Sequence, residues 1–327
     1  MSTGPAPMSL LAAHDALLLD LDGVVYRGAE AVPHAVASLA LVRAAGVRLA
    51  YVTNNAARTP DEVADHLRRL GIEVDPHDVV TSAQAGAREV AVRVPAGSRV
   101  LAVGGPGVAD ALRARGLEPV LSATDDPAAV MMGYGPDVSW RELAEASYAV
   151  GAGAVFIATN TDATVPTDRG IAPGNGTLVG AVRTATGREP VVAGKPFAPL
   201  MVESVERIGA ERPLVVGDRL DTDVEGAHAS GLPSLLVLTG VADAGMLLSA
   251  PAAQRPTYVA ADLRGLASAS VALAVEAPSE GDDGLGRLRA AARAAWAAVD
   301  AGAPAPPVDL VALQADIDAA LSRPSSW

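Results

Sequence analysis

The apolar stretches of this chain are short and recurrent, and each is followed by a segment carrying helix start and stop signals. Residues 16–19, Ala-Leu-Leu-Leu, form the first stretch and 47–52 the second. Between them a helix is expected over 33–45, opened by Pro33 and ended by Gly46. Residues 23–32 read as an irregular connection. A second helix is expected over 60–70, stopped by Gly71. The alternation continues with strands at 99–103, 129–132, 155–159, 214–216, 234–238 and 258–260. Helices are expected at 108–115, 140–152, 176–185, 199–208 and 221–230. Strand and helix alternating at this spacing imply βαβ crossovers, hence an α/β fold around a parallel sheet. A length of 327 residues fits about two domains.

Where these strands end, the residue types change. The first breaks into Asp20-Leu21-Asp22-Gly23. Side chains at i and i+2 of a strand share a face, so both carboxylates leave the C-terminal edge toward one pocket. Like charges that close need a cation or a shared proton. That suggests a metal-assisted nucleophile beside an acid/base. The 214–216 strand ends in Gly217-Asp218-Arg219-Leu220-Asp221-Thr222-Asp223. Strands of a parallel sheet end on one edge, so Asp218 can meet Asp20 there. Oxygen ligands of this kind suit Mg²⁺, which keeps several waters and adds a substrate phosphate. Asp221 is the expected helix cap, and Asp223 the expected support of a metal-bound water.

Thr53-Asn54-Asn55 closes the 47–52 strand with a hydroxyl, amide side chains and turn N–H groups, a suitable phosphate cradle. The chain has 24 arginines and one lysine, Lys195, in Ala193-Gly194-Lys195-Pro196. A compact cation on a flexible stem would balance carboxylates and phosphoryl oxygens there.

Composition removes several classes of partner. A formal net charge of −13 argues against nucleic acid and anionic membranes. No apolar run approaches ~18 residues, so no membrane span is expected. With no cysteine there is neither a disulfide framework nor thiolate chemistry. The N-terminal residues lack a basic segment leading into a long apolar one, so no secretion signal is expected and a cytoplasmic location fits. Val103-Gly104-Gly105-Pro106-Gly107 lacks dinucleotide-loop spacing and reads as a turn into a helix, as does Pro173-Gly174-Asn175-Gly176. His14, His34, His66, His77 and His228 fit no metal or triad spacing and read as structural. Residues 276–286 read as a linker. Helices at 285–298 and 310–321 follow, separated by a proline-rich break at 301–307, and this tail carries no legible motif.

Taken in order, DLDGV at Asp20, TNN at Thr53, GKP at Lys195 and GDRLDTD at Asp218 resemble the haloacid dehalogenase superfamily of phosphohydrolases. The gap between the second and third signals resembles the large α/β cap of the phosphoglycolate, 4-nitrophenylphosphate and pyridoxal phosphate phosphatase branch. The resemblance covers about residues 15–266 and leaves the tail as an addition of this chain. It implies a Rossmann-like core from 14–82 and 191–270, an inserted cap at 83–190 and a helical extension at 277–327.

It further implies that Asp20 attacks phosphorus and forms an aspartyl-phosphate. Asp22 would protonate the leaving alcohol and then activate water. Asp20, the Asp22 carbonyl and Asp218 would hold Mg²⁺, and Thr53, Asn54, Asn55 and Lys195 would bind the phosphoryl group. Asn160, Asp162 and Arg169, in loops after the 155–159 strand, are the candidates for cap selectivity. The implied substrate is a small phosphorylated metabolite, glycerol 3-phosphate or phosphoglycolate; the alternatives are pyridoxal phosphate and nucleoside monophosphates. A homodimer through the cap is implied as well. Two other readings fit less well. A receiver-like phospho-acceptor would be shorter and would not need Asp22, and a dehalogenase would not need the Asp218 cluster.

Overall fold

The computed structural model describes residues 9–167, 169–267, 273–274 and 283–324. The chain divides into two compact units, one comprising Met1–Tyr51, Leu67–Glu73 and Val205–Trp327, the other Val52–His66 and Val74–Ser204.

The first unit is built on a sheet in which hydrogen-bonded neighbours run Leu273–Ala274, Tyr258–Ala260, Ser234–Val237, Pro213–Gly217, Ala16–Leu19 and Arg48–Thr53. All pairs are parallel except the antiparallel Leu273–Ala274 edge. Every residue of Ala16–Leu19 is buried, as a strand covered on both faces requires. Leu19 lies in register with Val216 on one side and Tyr51 on the other. The chain order turns around at this first strand, which makes its C-terminal end a topological switch point, where ligands of open α/β sheets bind.

The tail belongs to the same unit. Its helices, Gly286–Asp300 and Leu310–Leu321, place Leu288, Trp296, Leu313 and Ile317 in one apolar cluster with Leu236, Leu247 and Val259. Trp296 Nε1 donates to the Leu247 carbonyl at 2.9 Å. Arg289 is fully buried, pairs with Asp283 and donates to the Val259 carbonyl at 2.7 Å. Most of the expected linker, 276–282, lies outside the described residues.

The second unit carries a parallel sheet ordered Val191–Val192, Val155–Ala158, Ala129–Met132, Arg99–Val103 and Glu118–Val120. The Ser82–Ala91 and Pro106–Ala114 helices share one apolar cluster with it, and Trp140–Gly151 and Asn175–Thr186 share another.

Two local expectations are corrected and one helix is added. The connection at 23–32 contains a hairpin of Tyr26–Arg27 with Glu30–Ala31, turned at Gly28 with φ +58°. Ser82–Ala91 is a helix that alanines conceal, since its buried positions Ala83, Ala85, Gly86 and Ala87 give little hydrophobic contrast. The segment expected as one helix over 221–230 opens as a π-turn, Leu220–Val224, before the α-helix Glu225–Ala229. Among the described residues no helix is long and apolar enough to cross a membrane.

Candidate active site

In the first unit the sheet edge gathers acids. Asp20 follows Leu19, and its N–H donates to the Val216 carbonyl at 2.8 Å, which holds the two strand ends level. Asp218 then leaves the neighbouring strand beside it. Asp20, Asp218 and Asp223 each offer a carboxylate oxygen, and these oxygens lie within 4.8 Å of one another. Asp218 and Asp223 are each 1% exposed. Carboxylates this close need a cation or a shared proton, and an all-oxygen donor set suits a hard divalent cation. The residues therefore fit Mg²⁺.

Glycines make this convergence possible. A Cβ at Gly240 would lie 1.8 Å from Asp218 Oδ2, one at Gly23 2.5 Å from the same atom, and one at Gly217 2.1 Å from the Asp223 Cβ. Gly23 also has φ +89°, a conformation glycine adopts without strain. The Thr239 hydroxyl donates to the Gly23 carbonyl at 2.6 Å, and the Val241 N–H donates to Asp218 Oδ2 at 2.7 Å. Thr239 and Gly240 were not anticipated. Their signal was an apolar strand, Ser234–Val237, running within two residues into Thr-Gly on the edge that carries Asp20 and Asp218.

Asp221 is not the helix cap. Its carboxylate accepts from the Arg219 guanidinium at 3.0 and 2.8 Å, while Asp223 Oδ2 accepts from the Arg219 N–H at 3.1 Å. Asp223 can reach back because Gly217 leaves it the space. Asp22 faces solvent, and the Gly23 N–H donates to the Tyr26 carbonyl at 2.8 Å, so the hairpin closes directly behind it. Partial desolvation raises the Asp22 carboxyl above the ordinary carboxylate range, and the Arg27 guanidinium opposes that rise. An acid that keeps its proton longer is suited to donate one.

The second unit collects the remaining candidates. Thr53 is buried, and its Oγ1 accepts from the Asn55 N–H at 3.1 Å. Asn55 is exposed, with its Oδ1 accepting from the Ala57 N–H at 2.8 Å. Lys195 is 3% exposed, and its Nζ donates to the Val52 carbonyl at 3.4 Å. Asn54 contacts both Lys195 and Asp162 through its side chain. Asn160 is buried next to Asn54, whereas Arg169 lies exposed in the turn between Thr164–Thr167 and Gly170–Pro173.

A sequence profile of haloacid dehalogenase-like hydrolases matches residues 17–118, and a second, HAD-hydrolase-like profile matches residues 192–266. The D-glycerol 3-phosphate phosphatase of Mycobacterium tuberculosis is 47% identical over 314 residues, covering 89% of this chain and 88% of that protein. The chain belongs to the haloacid dehalogenase-like hydrolases. Another relative, an acid sugar phosphatase of Staphylococcus aureus, is 36% identical over 230 residues, covering 70% of this chain and 88% of its own. A crystal structure of the M. tuberculosis glycerol phosphate phosphatase in complex with magnesium superposes with a TM-score of 0.84 at 47% identity, covering 89% of this chain and 93% of that one. The same enzyme with calcium gives a TM-score of 0.84 at 45% identity, covering 93% and 94%. Coverage of 93% extends beyond residue 276, so the tail is shared with that member of the haloacid dehalogenase-like hydrolases and is not an addition of this chain.

Proposed function

We propose that this protein is a Mg²⁺-dependent phosphatase of small phosphomonoesters, with glycerol 3-phosphate as substrate. The observation that carries the reading is the cluster of Asp20, Asp218 and Asp223 at the sheet's switch point. Both relatives are phosphatases, which supports it. The M. tuberculosis relative favours glycerol 3-phosphate over phosphoglycolate, pyridoxal phosphate and nucleoside monophosphates.

Asp20 attacks phosphorus, and the leaving alcohol takes a proton from Asp22. Asp22 then takes a proton from the water that hydrolyses the aspartyl-phosphate. Two carboxyl groups divide nucleophile and acid/base work when their environments differ, and partial desolvation raises the Asp22 carboxyl above the ordinary range. Asp20, Asp218 and the Asp22 carbonyl would hold Mg²⁺, and Asp223 would support a water of that ion. When bound, the ion neutralises phosphoryl charge. Thr53, Asn54, Asn55 and Lys195 bind phosphoryl oxygens, since phosphoryl transfer asks mainly for positioning and charge stabilisation. Asn160, Asp162 and Arg169 shape selectivity. The domain division is a core of 14–82 and 191–270, a cap of 83–190 and an extension of 277–327. A homodimer through the cap is supported by Trp140 and Tyr148, 79% and 61% exposed on one helix of the second unit.

The test is phosphate release from glycerol 3-phosphate, phosphoglycolate, pyridoxal phosphate and nucleoside monophosphates, with Mg²⁺ and with EDTA. Glycerol 3-phosphate should give the highest kcat/KM, and EDTA should abolish it. Release that persists under EDTA would remove the metal assignment, and no release from any ester would remove the phosphatase.

A further inference from the structure

In the second unit one side chain grips the backbone of another loop at both of its poles. The Lys195 N–H donates to Asn54 Oδ1 at 2.8 Å, and Asn54 Nδ2 donates to the Lys195 carbonyl at 3.1 Å. The same nitrogen donates to the Asp162 carboxylate at 3.2 and 3.4 Å. An amide paired this way imitates an adjacent peptide group, fixing both the position and the rotation of residue 195. Gly194 makes room for the approach, because a Cβ there would lie 2.6 Å from Asn54 Oδ1 and 2.5 Å from the Thr159 carbonyl.

The gripping residue is itself held. The Asn54 carbonyl accepts from Ser82 Oγ at 2.6 Å and from Asn160 Nδ2 at 2.7 Å. Asn160 Oδ1 accepts from the Asp162 N–H at 3.1 Å, and the Asn160 carbonyl accepts from Asn175 Nδ2 at 2.7 Å. Asn54, Asn160 and Asn175 thus join a strand exit, the 160–162 loop and a helix start into one connected network that restrains the groups it joins.

We infer that the Asn54 side chain is a positioning residue for Lys195, and that Asp162 acts through Asn54 by fixing its amide. The inference deepens the proposed phosphatase and rests on it for the role of Lys195. It removes the Asn54 side chain from the groups that touch phosphate and moves Asp162 from selectivity to support of the phosphate-binding lysine.

The experiment is a double-variant cycle of Asn54→Ala and Lys195→Ala in the full chain. It is read by kcat/KM for glycerol 3-phosphate and, independently, by calorimetric binding of inorganic phosphate with Mg²⁺ present. Asn54→Ala should lower kcat/KM by about 100-fold, the effect of a displacement near an ångström in a positioned group. The double variant should be no worse than Lys195→Ala alone, and phosphate affinity should fall in the same non-additive pattern. Asp162→Ala should lower kcat/KM about tenfold, and Asp162→Asn, which keeps an oxygen facing Asn54 Nδ2, should restore most of it. Losses that multiply in the double variant would overturn the inference. If circular dichroism shows Asn54→Ala unfolded, Asn54→Asp replaces it; that variant keeps the acceptor for the Lys195 N–H and removes the donors, so the same pattern is expected. Non-additive phosphate binding in a protein that hydrolyses no ester would sink the phosphatase and leave the clamp standing. Turnover with multiplicative losses would do the reverse.

Discussion

The two units hold their polar residues by opposite physical means. The first collects three carboxylates and fits them together by removing side chains around them, at Gly23, Gly217 and Gly240. The second collects amides that bond to one another's backbone and hold the backbone of a single buried lysine. A cluster of like charges is held together by a cation or a shared proton. The amide network is held by hydrogen bonds within the protein. The acid cluster should therefore respond to metal concentration, and the amide network to side-chain geometry.

The largest expected effect is at the nucleophile. Asp20→Asn should lower phosphate release from glycerol 3-phosphate by at least about 10⁴-fold, with an unchanged circular dichroism spectrum. Appreciable turnover in that variant would remove Asp20 from the chemistry. Next comes the amide-held site. Lys195→Arg should lower kcat/KM about 100-fold although the charge is kept, because a planar fork does not fit a slot shaped for an ammonium. Its Mg²⁺ requirement should not move, and a shifted requirement would blur the contrast between the units. Gly240→Ala should do the converse, raising the Mg²⁺ concentration for half-activation by about 10- to 100-fold, since the new Cβ displaces Asp218. An unchanged Mg²⁺ titration would mean that the glycine gap does not shape the metal site. The smallest effect is at Arg113, whose pair with Asp110 at 2.8 Å is open to solvent. Arg113→Ala should change stability by less than about 0.5 kcal/mol in thermal melts.

Much of this was legible because the signals were strong at strand ends. Asp20, Asp218 and Lys195 stand out where apolar runs stop, and the sheet rule places Asp20 and Asp218 on one edge without any structure. Elements with weak contrast were not legible. The alanine-rich Ser82–Ala91 helix shows little periodicity, although its Thr81–Gln84 capping box is a readable start. The Tyr26–Ala31 hairpin has two-residue strands, too short for an alternating pattern. Assigning the helix cap to Asp221 followed the usual preference for aspartate at such positions. It failed because the turn opens in π geometry and Asp223 bonds the Arg219 N–H instead, a choice made by the space at Gly217. The Asn54–Lys195 clamp joins residues 141 positions apart and leaves no local trace.

The tail helices carry no proposed reacting group, yet they cover Leu236 and Val259, and buried Arg289 is fastened to the Val259 carbonyl. Chemistry and foldedness are therefore written in different stretches of the gene. A premature stop after codon 276 would spare every acid of the cluster and still strip the sheet of part of its greasy cover.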